Sequence, residues 1–367
     1  MTSENASEYG RLTPMLAALE ALVRCESPTE DVDACRNVVR LASDIATRVL
    51  GTPAEIKEIE GRPVFWWGAQ NPEIVLLAHL DTVWPHGSYQ PLWEVKGDVI
   101  RGPGVFDMKA GFLQALYALK GIEGSVALIA TTDEETGSHA SRELIKDISS
   151  KAKAVLVLEA SLDGKVKTGR KGTSMYQVHV HGLASHAGLE PEKGINATTE
   201  IAHTILKLAS LENTEYGTTV VPTVVHSGNT TNTVPDLAVL DIDIRSFAIS
   251  ELERIHAAIT GITAVNPLAR IEVTGGINRP PLQPASTAAL YERVEKVAAA
   301  IGMAPLGSAQ VGGSSDGNFA AAAGAQVLDG LGAVGQGAHA PHEWVSAASL
   351  EPRTALLHAL IKDLLDD

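Results

Sequence analysis

Apolar and polar positions along this chain follow two different rhythms. Short, nearly unbroken apolar runs at Glu73–Leu80, Val126–Thr132 and Ala154–Glu159 have the length and character of strands covered on both faces. Helical spacing separates them, first over Val105–Lys120, entered through a Gly102-Pro103-Gly104 turn, and then over Ser138–Ile148. A helical stretch at 13–50, broken near Ser27-Pro28-Thr29 and resumed at Val32–Val49, precedes the first strand. Strand and helix alternating in this way predict an α/β layer with a largely parallel sheet.

The middle of the chain changes period. Met175–Gly182 alternates Tyr176, Val178 and Val180 with Gln177, His179 and His181, the signature of a half-buried strand. A helix at Ile195–Leu211, strands at Thr218–Val225 and Leu237–Arg245, a helix at Ser250–Ile262 and a strand at Arg270–Thr274 complete a β-α-β-β-α-β order. That is a ferredoxin-like unit. After Pro280-Pro281 the α/β pattern returns, with helices at Ala288–Ile301 and Asp316–Ala323, a strand at Ala325–Leu331 and a closing helix at Ala347–Leu365. The expected architecture is a mostly parallel-sheet catalytic domain, 1–171 and 282–367, interrupted by an inserted α+β lid at 172–281.

Length and charge narrow the class. A chain of 367 residues, 45% hydrophobic, is long enough for two cores. Its net charge is −15, from 29 basic and 44 acidic residues, and no basic patch is concentrated anywhere. Nucleic acid and anionic membrane are therefore poor partners. Cys25 and Cys35 stand ten apart in a helical region and read as free thiols rather than a disulfide. The first residues, Met1-Thr2-Ser3-Glu4-Asn5, show no basic-then-apolar leader, and no apolar run approaches the ~20 residues of a membrane span. A reducing cytoplasm is the expected location.

The chemistry lies where apolar runs end. In Ala78-His79-Leu80-Asp81 an imidazole and a carboxylate fall at i and i+2, on one face of a strand. A metal-holding histidine commonly takes such a carboxylate partner. Asp107 in a tight turn, Glu135 in Asp133-Glu134-Glu135-Thr136-Gly137, Glu159 at a strand end and a histidine in Gly337-Ala338-His339-Ala340-Pro341-His342 complete a two-metal set. Two imidazoles and three carboxylates suit Zn²⁺ or another late divalent ion. Asp107 has one oxygen to offer each of two ions, which a shared centre places ~3.5–4 Å apart. His339 and His342 compete for the last position. The bland alternative for 133–135 is a solvated acidic loop or an N-cap cluster for the following helix.

Read together, the segments HLDTVWP (79–85), GPGVFDMKAG (102–111), TTDEETGS (131–138), VLEA (157–160), GLASHAG (182–188), NTVP (232–235), GGSSDGNF (312–319) and GAHAPHEWV (337–345) resemble the M20 family of co-catalytic zinc metallopeptidases, in the family's order and over nearly the whole chain. The resemblance implies two Zn²⁺, with Co²⁺ or Mn²⁺ as substitutes. Asp107 would bridge them, His79 and Glu159 would complete one site, and Glu135 and His339 the other. Ala-His-Ala-Pro matches the family's Ala-His-Ser-Pro and so selects His339. Asp81 would orient His79, and Glu134 would carry a proton from the attacking water to the leaving amine. His186 would reach the partner subunit's site to steady the oxyanion. Asn232 and Arg245 would hold a substrate carboxylate beside the Gly313-Ser314 loop. A homodimer through the lid is implied as well.

The expected activity is cleavage of an amide next to a free carboxylate in a small peptide or N-acyl amino acid, releasing a C-terminal amino acid. The lid length and the DGNF and DGLG segments (316–319, 329–332) point to the glutamate carboxypeptidase branch. An N-acyl-amino-acid deacylase is the near alternative. A non-catalytic binding protein on the same fold is the remote one, disfavoured because all five ligands and Glu134 are present. A serine nucleophile at Ser314 or Ser315 lacks the Gly-x-Ser-x-Gly elbow.

Overall fold

The computed structural model describes residues 5–366. Residues 1–4, read above for a leader, lie outside them. The chain divides into two compact units, one formed by the residues up to 169 with 283–311 and those from 315 on, the other by 170–282 with 312–314.

The first unit is built on a six-stranded sheet in the order Glu55–Ile59, Arg62–Gly68, Val126–Thr131, Ile74–His79, Ala154–Val157, Val327–Leu328. The last four run parallel, and the first two form an antiparallel hairpin added at one edge. Every residue of Ile74–His79 and Val126–Thr131 is buried. Their runs are continuously apolar for that reason: interior parallel strands have no solvent face. Helix Val32–Leu50 packs on the hairpin, Ala110–Ala118 on the closing helix Ala347–Leu365, and Arg142–Ser149 on Asp316–Ala322.

Three sequence expectations need revision in this unit. No strand is predicted ahead of residue 73, yet the Glu55–Ile59 and Arg62–Gly68 hairpin is there; its outer strand is largely exposed, so it carries no apolar run to detect. The helix expected over Val105–Lys120 is regular only from Ala110 to Ala118. Residues 105–109 form an irregular wide turn with Asp107 at φ −117°, ψ 90°. The strand expected at Ala325–Leu331 shrinks to Val327–Leu328, because Leu331 N–H and Gly332 N–H donate instead to the Val157 and Glu159 carbonyls.

The second unit is a four-stranded antiparallel sheet, ordered Thr219–Ser227, Leu237–Ser246, Gly172–His181, Arg270–Arg279. Helices Ala197–Ala209 and Ile249–Thr260 bury Ile201, Leu208, Leu252 and Ile255 against Val178, Val180, Leu240 and Ile242. The alternation over 175–182 thus marks the helix-covered face. Asn196 caps the first helix by accepting from Thr199 N–H. Residues 312–314 belong to this unit and not, as the domain limits above have it, with the sheet unit. Their oxygens are the reason: Arg245 donates to the Gly312 carbonyl, Arg170 to those of Gly313 and Ser314, and Arg279 to Ser314 Oγ. Among the described residues, no helix is long and apolar enough to cross a membrane.

Candidate metal centre

His79 closes the central strand and pairs in register with Thr131, whose strand runs on into the Asp133-Glu134-Glu135 loop. Leu77 pairs with Val157, which sets Glu159 just past the neighbouring strand end. Carboxyl ends of parallel strands converge here, as expected of an open α/β sheet. Two glycines allow the remaining segments to close in. A Cβ on Gly111 would stand 2.0 Å from the Leu158 carbonyl oxygen, and one on Gly332 2.1 Å from the same atom. Any side chain at either position would push the Asp107 turn or the 329–332 loop away from Glu159. His339 arrives from the C-terminal loop with φ 61°, a left-handed backbone that non-glycine residues seldom adopt.

These segments bring all five candidate ligands together. His79 Nε2 lies 3.2 Å from Asp107 Oδ1 and 3.7 Å from Glu159 Oε1. His339 Nε2 lies 3.4 Å from Asp107 Oδ2 and 2.9 Å from Glu135 Oε2. Asp107 therefore turns one oxygen to each histidine. Ligand atoms of His79, Asp107 and Glu135 all fall within 4.8 Å of one another, a group able to hold a metal ion. His79 Nδ1 faces Asp81, 3.1 Å from its carbonyl oxygen and 3.3 Å from Oδ1. Asp81 is fully buried, and its Oδ2 accepts from Thr29 Oγ1 and Glu135 N–H.

The electrostatics are those of a cation site. Burial would lower the His79 imidazole, but Asp107, Asp81 and Glu134 outweigh it and hold it well above the ordinary range. Asp107 and Glu135 push His339 up to about 11. Against the cost of burial, His339 and His79 hold Asp107 well below the usual carboxylate range. Burial pushes Glu135 up to about 7, and the nearby Asp107 charge adds to the rise although His339 opposes it. Crowded, desolvated acids of this kind are relieved by positive charge. The mixed imidazole and carboxylate donors fit a late divalent ion.

The other predicted residues stand as follows. Glu134 begins the short helical turn Glu134–Thr136 and is buried. Its neighbour Asp133 takes the capping part of the bland reading, accepting from Ala140 and Ser141 N–H at the approach to helix Arg142–Ser149. On the second unit, His186 is exposed, and its Nδ1 accepts from Gly188 and Leu189 N–H. That bonding assigns the ring proton to Nε2. The backbone carbonyl of Asn232 accepts from Ala187 N–H. Arg245 already pairs bidentately with Asp243 at 2.8 and 3.1 Å, the ion pair weighed against its carboxylate role.

Three contributors escape the sequence reading. Asp316 accepts from Ser138 and Thr131 hydroxyls and so braces both ends of the 131–138 loop. Lys109, buried and lowered to about 8 by desolvation, donates to the Leu22 and Cys25 carbonyls. Glu343 accepts four N–H groups from around Asp107; burial pushes its carboxyl up to about 7 against the pull of those donors. One signal for it was available. The alternation of the short Trp344–Ser346 strand, extended back one residue, puts Glu343 on the same buried face as Val345.

Comparison with known proteins agrees with this geometry. The model of peptidase family M20/M25/M40 matches residues 75–363. Carboxypeptidase G2 of a Pseudomonas species is 30% identical over 325 residues, 84% of this chain and 76% of that protein. A succinyl-diaminopimelate desuccinylase of Hydrogenovibrio crunogenus is 25% identical, covering 94% of this chain and 97% of its own length. A tripeptidase from Staphylococcus aureus superposes with a TM-score of 0.79 at 22% identity, over 97% of this chain and 99% of that one. An M20 family metallo-carboxypeptidase from Sulfolobus solfataricus gives 0.75 at 16% identity, over 96% and 99%. The matched model spans most of the chain, including every candidate ligand, and the chain therefore belongs to peptidase family M20/M25/M40, a metallo-hydrolase of amide bonds.

Proposed function

We propose that this enzyme is a dizinc carboxypeptidase that hydrolyses an amide next to a free carboxylate and releases a C-terminal amino acid, with glutamate the foremost candidate. The observation that carries the reading is Asp107, set between two histidines with a different oxygen toward each. His79 and Glu159 would hold one ion, Glu135 and His339 the other, with Asp107 common to both. Bound there, the metal pair supplies Lewis-acid polarisation of the amide carbonyl and acidifies water. Glu134 accepts the proton of the attacking water and passes it to the leaving amine nitrogen. Asp81 fixes the tautomer of His79 through Nδ1. His186, protonated on Nε2, would reach the partner subunit's site as the donor for the developing oxyanion.

Arg245 and Asn232, with the Gly313-Ser314 loop, bind the substrate carboxylate in this reading. Arg245→Ala is then expected to raise KM about tenfold or more with little change in kcat, because charge-assisted bonds contribute ~1.5–3 kcal/mol. Lysine should not restore it, since the planar fork is what matches a carboxylate. An unchanged KM would leave Arg245 with its pairing to Asp243 and its bond to the Gly312 carbonyl. A homodimer through the second unit and a cytoplasmic location complete the proposal.

The desuccinylase relative favours a second reading, an N-acyl-amino-acid deacylase acting by the same chemistry. Turnover of dipeptides, folyl-glutamates and N-acetyl or N-succinyl amino acids, measured side by side on the zinc-loaded enzyme, separates the two. We expect peptide or folyl-glutamate conjugates to have the higher kcat/KM. Turnover confined to the N-acyl amino acids would overturn the carboxypeptidase assignment.

A further inference from the structure

We propose that Glu343 is the positioning residue of the metal centre, setting the backbone of Asp107 before any ion binds. This inference rests on the metal-centre reading above. Glu343 is wholly buried, and four N–H donors converge on its two oxygens. Oε1 accepts from Phe106 and Asp107 N–H at 2.8 and 3.0 Å. Oε2 accepts from Gly104 N–H at 3.0 Å and from the Trp84 indole at 3.3 Å.

Those backbone donors need an acceptor. Residues 105–109 do not form a regular helix, and they lie ahead of the first turn of Ala110–Ala118. Buried N–H groups at such a place have no helical partner, and each costs free energy if left unmet. Glu343 meets three of them at once and thereby selects the wide turn over the regular helix that the residue pattern favours. The consequence is local and chemical. Asp107 leaves this turn with its carboxylate across His79 and His339.

One short loop controls both ends of Asp107. His339 reaches its side chain, while Glu343, from the same 337–343 loop, reaches its backbone nitrogen. Hydrogen bonds from Ala340 N–H to Gly337 and from Glu343 N–H to Ala340 keep that loop tight, and Tyr89 donates to the Glu343 carbonyl. Through Trp84 the network also touches the segment that begins with His79. Glu343 thus ties together three of the segments that carry ligands. It touches neither substrate nor ion and acts only through Asp107.

The test measures metal affinity, not turnover. Glu343→Gln keeps the shape but turns an NH₂ toward N–H donors. Chelator-stripped parent and variant are titrated with Zn²⁺ in competition with a chromophoric chelator, well below the melting temperature of each. Positioning predicts a 10–100-fold weaker affinity in the folded variant, the range seen when a ligand's outer partner is lost. A merely structural role predicts a lower melting temperature with parental affinity, and that result overturns the inference. A second measurement needs no variant. In the metal-free parent, the Phe106 and Asp107 amides should be protected from hydrogen exchange. Exchange at open-loop rates until Zn²⁺ is added would show that the ion, not Glu343, orders the turn, and would decide the matter if the variant failed to fold. A parent that takes up no zinc overturns the metal-centre reading itself, and this inference with it.

Discussion

Glu134→Gln is expected to lower kcat about 10²–10⁴-fold while leaving the metal content of the enzyme unchanged. The amide has the volume of the carboxylate but cannot accept a proton at neutral pH. Its backbone is placed by the loop itself. The turn that presents it is closed by backbone bonds, Gly137 N–H to Glu134 and Ser138 N–H to Asp133, at 2.9 and 2.8 Å. Asp133 holds the far side of the loop by capping Ala140 and Ser141. Elemental analysis and steady-state kinetics on the same preparation give the answer. A variant with near-normal kcat would remove Glu134 from proton transfer. One that lost metal together with activity would make it a holder of the ion.

Stripping the metal with a chelator is expected to abolish turnover and to lower the melting temperature, both restored by Zn²⁺. The stability effect follows from mass action, because the five proposed ligands converge only in the folded chain. At free metal 100-fold above Kd the native state gains about 2.7 kcal/mol. For a unit of this size that corresponds to roughly 5–10 °C. Electrostatics point the same way. Burial and the Asp107 charge push Glu135 up to about 7, and a bound cation would offset the cost of ionising it. Calorimetry of stripped and reloaded protein measures the shift. Full activity in protein free of bound metal would end the proposed chemistry.

Much of the centre was legible because ligand-bearing segments end strong patterns. His79 and Glu159 follow continuous apolar runs, and the 133–135 acids follow a third. Such runs mark interior parallel strands, whose carboxyl ends meet at one rim. The ferredoxin-like unit was legible for a related reason: each of its strands has one helix-covered face, so period-2 alternation survives. What escaped had a weak periodic signal or none. The outer strand of the edge hairpin is exposed, its buried partner offers only the short apolar run 64–67, and the 105–109 turn reads as helix in its residue types. Asp316 looked like an ordinary polar position, and the alternation that places Glu343 beside Val345 marks it as buried without saying that its partner lies 236 residues away, as that of Asp316 lies 178 away.

From sequence alone came the layered α/β class, the inserted α+β segment and a set of candidate metal ligands, with His339 preferred to His342 through the family resemblance, because periodicity and side-chain chemistry are properties of short stretches. Only the tertiary structure decided which oxygen of Asp107 faces which histidine, that Arg245 already engages Asp243, and that residues 312–314 side with the second unit. Arg245 and Asp243 stand only two residues apart on one strand face, but the other two outcomes depend on contacts between segments far apart along the chain. Their partners are chosen by how the elements pack, and no local pattern encodes that choice.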